Sequence, residues 1–233
     1  MSVRKKICFV MLILGFGRLS AQDAVIDSAA ISYIHASENF STLFYGTEYE
    51  GFPRAKNHPY LKDEQYTKGR LLYQQVAYPE ALLRLDLYRD ELIVRTPGFR
   101  SIVLVPENVG FAELHGKRIV YFQKDNSPGC PATGYYLMLY AGDCKVMEKK
   151  HAQMIEKTEP GRLERFFELS SRYYLYVNGV YYPVKNKSGL LKVLNPYKKE
   201  LKRFISSQNL NFRRNAEQFL TQTVQEFERI RNM

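Results

Sequence analysis

Leu83-Arg84-Leu85-Asp86-Leu87-Tyr88-Arg89-Asp90-Glu91-Leu92-Ile93-Val94 is the stretch on which the fold turns. Leu83, Leu85 and Leu87 alternate with Arg84, Asp86 and Tyr88, the period-2 pattern of a strand with one face in a core. Arg89-Asp90 then punctuates the run, and Leu92-Ile93-Val94 opens a second strand. Working outward, the same grammar predicts strands near 70–78, 81–88, 91–95, 100–105, 109–114 and 117–123, with breaks at Pro79, Arg89-Asp90, Pro97-Gly98, Pro106 and His115-Gly116. Strands this close leave no room for crossover helices, so the sheet is an antiparallel meander.

Beyond it, residues 135–141 and 144–150 read as a hairpin turning near Ala141-Gly142-Asp143. A sharper hairpin spans 172–184 about Asn178-Gly179, a pair that tolerates positive φ at both central positions of a type I′ turn. Its register follows from the turn: Val177 with Val180, Tyr176 with Tyr181, Leu175 with Tyr182, Tyr174 with Pro183, Tyr173 with Val184. One face then carries Tyr173, Leu175, Val177, Val180, Tyr182 and Val184. The other carries Tyr174, Tyr176 and Tyr181, flanked by Arg172 and Lys185. That second face reads in two ways, as an aromatic platform for a planar ligand or sugar ring, or as a surface covered by the helices that follow.

Past residue 187 the period becomes helical. Ser188 is placed to cap a short turn through Leu190, Leu191 and Leu194. Asn195 is placed to cap a second helix with Pro196 at its first position. Tyr197, Leu201, Phe204 and Ile205 form that helix's apolar stripe, and Lys198, Lys199, Lys202 and Arg203 a basic face. A third helix starts after Asn215 with Gln218 three residues on, and aligns Phe219, Leu220, Val224, Phe227 and Ile230. Both stripes need a partner, and the sheet is the nearest surface. The expected fold is therefore α+β: an antiparallel β-meander, open or curled into a half-barrel, with C-terminal helices packed on it. Earlier in the chain, 24–37 reads as a short helix, 42–49 as a strand and 52–68 as a long loop.

The chain begins with Arg4-Lys5-Lys6, an apolar run from Ile7 to Phe16, and Leu19-Ser20-Ala21. That is the form of a secretory signal peptide over 1–21, its apolar run too short for a bilayer-spanning helix of roughly 20 residues. The rest, 22–233, is expected to be a single exported domain, β-rich over 40–185 and helical over 188–231, with no membrane span. The protein is thus expected in the periplasm or outside the cell. Overall, 233 residues carry 45% hydrophobic and 14% aromatic side chains, 18 Tyr and no Trp, too apolar for a disordered chain. The 34 Lys+Arg exceed the 24 Asp+Glu by ten. Removing Arg4, Lys5, Lys6 and Arg18 lowers the excess to six. Residues 184–214 hold nine cations against Glu200 alone, so the charge is local. With export, nucleic acid is a poor partner; the face is read either as a surface for an anionic lipid, an acidic glycan or an acidic protein of the envelope or, with more weight, as a solvated helix face with its own Glu200.

Catalytic motifs are absent from the sequence. His35, His58, His115 and His151 stand alone, without zinc-ligand spacing, and no G-x-S-x-G or phosphate-binding glycine loop occurs. No metal and no cofactor is expected. Asp86 with Asp90 is read either as an acid–base pair or, with more weight, as a solvated strand face and polar turn. Cys130 and Cys144 remain after the leader is removed. The hairpin would separate them by roughly 30 Å at about 3.3 Å per residue, whereas a disulfide needs Cα atoms within about 7 Å. Two free thiols are therefore favoured over a bridge.

The blocks Phe44-Tyr45-Gly46-Thr47-Glu48-Tyr49, Asn57-His58-Pro59-Tyr60 and Leu85 to Val94 resemble successive blocks of a family of exported Bacteroidetes proteins of unknown function. The tail resembles it as well, through Tyr173 to Lys185, Leu190-Leu191 and Lys198 to Ile205. The family pattern has Gly before His-Pro where this chain has Asn57. The resemblance implies export and a single domain, and brings no catalytic residues. The functions expected are a non-catalytic binding or scaffold module of the cell envelope, then a carrier of an apolar ligand in a half-barrel, then a hydrolase using Cys130 or the Asp86 region.

Overall fold

A computed structural model describes residues 46–52, 55–159 and 162–233. The expected signal peptide and the 24–37 helix lie outside these residues. Among the described residues eleven strands form one antiparallel sheet: β1 (Gly46–Glu48), β2 (Thr67–Tyr73), β3 (Val76–Asp86), β4 (Glu91–Arg95), β5 (Ser101–Leu104), β6 (Val109–Leu114), β7 (Lys117–Phe122), β8 (Gly134–Ala141), β9 (Lys145–Glu159), β10 (Arg162–Val177) and β11 (Val180–Val184). Their order is β1-β5-β4-β3-β2-β6-β7-β8-β9-β10-β11. Two meanders, β2–β5 and β6–β11, thus join where β6 returns to pair with β2, and β1 adds to the β5 edge. Helices α1 (Lys187–Val193), α2 (Lys198–Ser207) and α3 (Ala216–Arg231) follow. The α+β meander with C-terminal helices is the architecture read from the sequence.

The expected break at Pro79 is corrected. The turn between β2 and β3 is Gln74-Gln75, both at positive φ (48° and 66°), and Pro79 lies inside β3. Proline is tolerated there because β3 pairs with β4 only from Leu82 onward, and its ladder with β2 shifts register between Gly69 and Leu71. Two further two-residue turns among the described residues obey their sequence: His115-Gly116 and Asn178-Gly179 both carry positive φ. The 172–184 register is the one the Asn-Gly turn dictates, pair for pair.

The sheet curls. The β3–β4 turn reaches β9, where Ala152 N donates to Leu87 O at 3.0 Å and Lys149 Nζ pairs with Asp90 Oδ2 at 2.5 Å. Gly134 makes this approach possible: its φ is +147°, and a Cβ there would overlap both Asp90 Oδ2 and Lys149 Nζ. The concave side is filled by side chains of both meanders, among them Tyr73, Leu83, Leu85, Leu114, Ile119 and Leu137, each at most 3% exposed. Each such side chain, fully buried, contributes roughly 1.5–3 kcal/mol.

The helices take one face of the last hairpins. Leu175, Val177 and Val184 bury against Leu190, Leu201 and Phe219. Two caps differ from expectation. Asn186, not Ser188, caps α1 by accepting from Gly189 N at 2.8 Å. Asn195 opens a 3-10 turn (Asn195–Tyr197) rather than capping α2. Asn215 does cap α3, accepting from Gln218 N at 3.0 Å. Glu228 ties α3 to the β8–β9 turn by accepting from Tyr140 Oη at 2.5 Å and from Cys144 N, and Lys117 pairs with Glu217 at its other end.

Candidate functional site

The hairpin β10–β11 puts its two faces to different uses. Its aliphatic face lies under the helices. Covering of the tyrosine face by those helices, one of the two sequence readings, is therefore corrected: they dock on the opposite side, and Tyr174, Tyr176 and Tyr181 take no part in that core. All three are half-buried. Tyr176 and Tyr181 lie centroid to centroid at 4.6 Å, Tyr181 meets Phe122 at 5.5 Å, and Phe122 leads through Tyr136 to Tyr174 at 6.0 Å. The row is edge-on at most contacts, the preferred geometry for aromatic pairs. Lys145 and Lys149 sit 5.5 Å and 5.0 Å over the rings of Tyr176 and Tyr136. Tyr136 Oη donates to Ala132 O at 2.7 Å and Tyr181 N to Pro128 O at 2.9 Å, fastening the 123–133 loop beside the row.

Of the five residues read as ligand-binding, the structure brings Arg172, Tyr174 and Lys185 to one groove and sets Tyr176 and Tyr181 apart in the aromatic row. The groove, of about 250 Å³, runs between Ser171–Tyr174 and Pro183–Lys185 and is closed on one side by Phe212. Phe212 stacks edge-on with Tyr173 at 5.9 Å and with Phe219 at 5.6 Å, so its ring is held by the core on one side and faces the groove on the other. A second groove of about 500 Å³, between Asn186–Ser188 and Leu210–Arg213, begins at the same phenylalanine. Phe212 was missed in sequence and Arg213 was read only as one cation of the basic 184–214 segment, because nothing local connects them to a hairpin some thirty residues earlier. Asn211 shapes that segment, its Oδ1 accepting from Arg213 N at 2.9 Å and Arg214 N at 3.2 Å.

Lys198, Lys199, Lys202 and Arg203 are exposed on the outer face of α2, as their interleaving with the apolar stripe requires. Every cation of 184–214 is exposed, and none pairs with a carboxylate among the described residues.

The Asp86 region is organised differently. Asp86 is fully buried, not on a solvated face as the strand pattern suggests. Its Oδ1 accepts from Tyr88 N at 2.8 Å and Arg89 N at 3.0 Å, and its Oδ2 accepts from Tyr49 Oη at 2.9 Å. Tyr49 Oη in turn lies 3.1 Å from Tyr60 Oη. Thus three separate stretches of sequence, around Tyr49, Tyr60 and Asp86, each supply one residue to one hydrogen-bonded cluster. Burial raises the Asp86 pKa against the pull of those donors, and it raises that of neighbouring Glu91 with help from the Asp86 charge. Arg84 lies 3.9 Å over Tyr60 and 4.2 Å over Tyr66. Asp90 turns away to Lys149 and to Tyr135 N, so the two aspartates do not converge.

Both thiols are free. Cys144 is buried beside Glu228, and burial with that neighbour pushes its pKa up to about 11, the opposite of an activated nucleophile. His58 stacks on Tyr60 at 5.7 Å, and His115 Nδ1 lies 3.5 Å from Asp63. Among the described residues no group of three or more His, Cys, Asp or Glu side chains is placed to hold a metal ion. No helix among them is long and apolar enough to cross a membrane. No family model, no curated protein and no solved structure matches this chain.

Proposed function

We propose that this protein is an exported, non-catalytic binding module of the cell envelope that holds an envelope component in the groove at the base of the β10–β11 hairpin. The observation that carries the reading is the meeting of Arg172, Tyr174 and Lys185 with Phe212 in one open groove, beside a run of cations that no described carboxylate neutralises. Export rests on the basic-apolar-small order of residues 1–21. The filled concave side of the sheet favours this reading over a carrier, since an acyl chain would need space that Leu83, Leu85 and Leu137 occupy. Divergence of Asp86 from Asp90, and the Cys130 thiol, whose pKa is raised chiefly by desolvation rather than lowered as an activated nucleophile requires, favour it over a hydrolase.

A photo-crosslinking amino acid at Lys187, in the second groove, tests it in cells that make the protein. An envelope adduct is expected at Lys187 and none from the same group at Gln75, an exposed turn residue on the other meander. Equal labelling at both positions, or none at either, contradicts it.

A further inference from the structure

The two grooves that meet at Phe212 form one path, with Arg172 and Lys185 along its first part and Lys187 and Arg213 along its second. Four cations therefore flank a single aromatic ring whose partner, Tyr173, braces it from the core side. A ligand following the path meets positive charge, then an apolar ring face, then positive charge again.

An extended acidic peptide would use such a path by adding a strand to the free edge of β11. Two features of that edge prevent it. In a two-residue hairpin the Val177/Val180, Leu175/Tyr182 and Tyr173/Val184 pairs face inward, so residues 181 and 183 present their backbone outward. Tyr181 N is already bonded to Pro128 O, and Pro183 has no N–H to offer. An anionic membrane surface is disfavoured by a different feature. The large apolar side chains exposed among the described residues are Tyr88, Phe99, Val105, Leu163, Leu169 and Met233, none of them within 184–214. Interfacial docking relies on apolar side chains that enter the headgroup layer, and here the aromatic ring is recessed between walls.

A sugar ring carries an apolar face that stacks on an aromatic side chain, and a uronic acid adds a carboxylate that arginine receives through paired N–H donors. We propose that this path binds an acidic polysaccharide, its carboxylates on Arg172, Lys185 and Arg213 and a ring face against Phe212. The proposal rests on the reading of the hairpin groove as the ligand surface and adds the chemistry of the ligand.

Calorimetric titration of the purified protein with polygalacturonate tests it, with dextran, poly-L-glutamate and phosphatidylglycerol-containing vesicles as alternatives. Polygalacturonate is expected to bind, at least tenfold more tightly than poly-L-glutamate and without competition from dextran. The double variant Arg172→Ala/Lys185→Ala and the single variant Arg213→Ala each weaken it at least tenfold, and Phe212→Leu weakens it several-fold at unchanged salt dependence. Poly-L-glutamate or vesicles binding as tightly, with the same dependence on Arg172 and Lys185, would overturn the polysaccharide and leave the groove as a ligand surface. Polygalacturonate binding that ignores all three variants overturns the proposal and, with no adduct at Lys187, the groove as well.

Discussion

The two ends of the sheet use the same residue types to opposite ends. At the β3–β5 end, tyrosine, arginine and aspartate are turned on one another: Tyr49 and Tyr60 close over Asp86, Arg84 lies against Tyr60 and Tyr66, and Arg89 lies 4.6 Å over Phe52. At the β10–β11 end, Arg172, Tyr174 and Lys185 line an open groove, and the cations that follow have no carboxylate partner. The difference lies in what covers each face. A strand face roofed by a loop is pressed to satisfy its charges internally, because each unpaired buried polar group costs about 1–3 kcal/mol. At this end, among the described residues, Arg84 Nε, Glu91 Oε2 and Arg95 Nε are the buried side-chain atoms left without a hydrogen-bond partner. A face left open has no such requirement, and its charges remain available to a ligand. Richness in Tyr and Arg therefore does not by itself mark a binding surface; the proposed one rests on unpaired exposure beside a groove.

The largest effect is expected where the two meanders are fastened together. Gly134→Ala places a Cβ against Asp90 Oδ2 and Lys149 Nζ at a φ of +147°. It should destabilise the protein by about 3 kcal/mol through backbone strain and displacement of a half-buried ion pair. Chemical denaturation measures it, and a loss below about 1 kcal/mol would mean that the curl does not depend on this contact.

Asp86 separates cohesion from catalysis at the paired end. Asp86→Ala leaves the N–H groups of Tyr88 and Arg89 and the Tyr49 hydroxyl without an acceptor, and should cost about 3 kcal/mol. Asp86→Asn should be as stable as the parent or more so at neutral pH. Its Oδ1 still receives both N–H groups and its amide donates to Tyr49, while no charge is buried. Because burial raises the Asp86 pKa in the folded state, its proton stabilises the fold at low pH, and that contribution is lost as pH rises through the folded value. The parent should therefore fall behind the Asn variant as pH increases. A gap that widens toward low pH would contradict the assignment. Next in size, Asn215→Ala removes the cap of α3 and should cost about 1 kcal/mol in the same measurement, since Gln218 N loses its acceptor.

What the sequence made legible was what neighbouring residues decide. Asn178-Gly179 set the hairpin register, Leu83, Leu85 and Leu87 chose the core face, and Asn215 with Gln218 marked the start of α3. What escaped was decided at a distance. Pro79 punctuates locally, yet it sits in β3 because β4 ends before reaching it. The long β9–β10 ribbon showed only its ends: residues 151–171 mix charge and apolar groups without steady alternation, because the loop at 55–57 covers part of β10 through Lys56 N to Arg165 O and Asn57 to Phe167. Asp86 looked solvated because the tyrosines that bury it lie 26 and 37 residues upstream. For the groove, Arg172, Tyr174 and Lys185 were legible as one face of a hairpin. Phe212 and Arg213 were not, since only the docking of the helices brings that segment to the strand edge.

The contrast between a cohesive end and an open end is tested most directly by stability and binding measured together on Arg172→Ala/Lys185→Ala. Neither side chain belongs to an ion pair or the core among the described residues, so the midpoint of denaturation should stay within about 0.5 kcal/mol of the parent, as surface substitutions do. Polygalacturonate affinity should fall at least tenfold. A variant that loses stability while keeping its affinity would show that these residues hold the fold together and that the groove is not where the ligand sits.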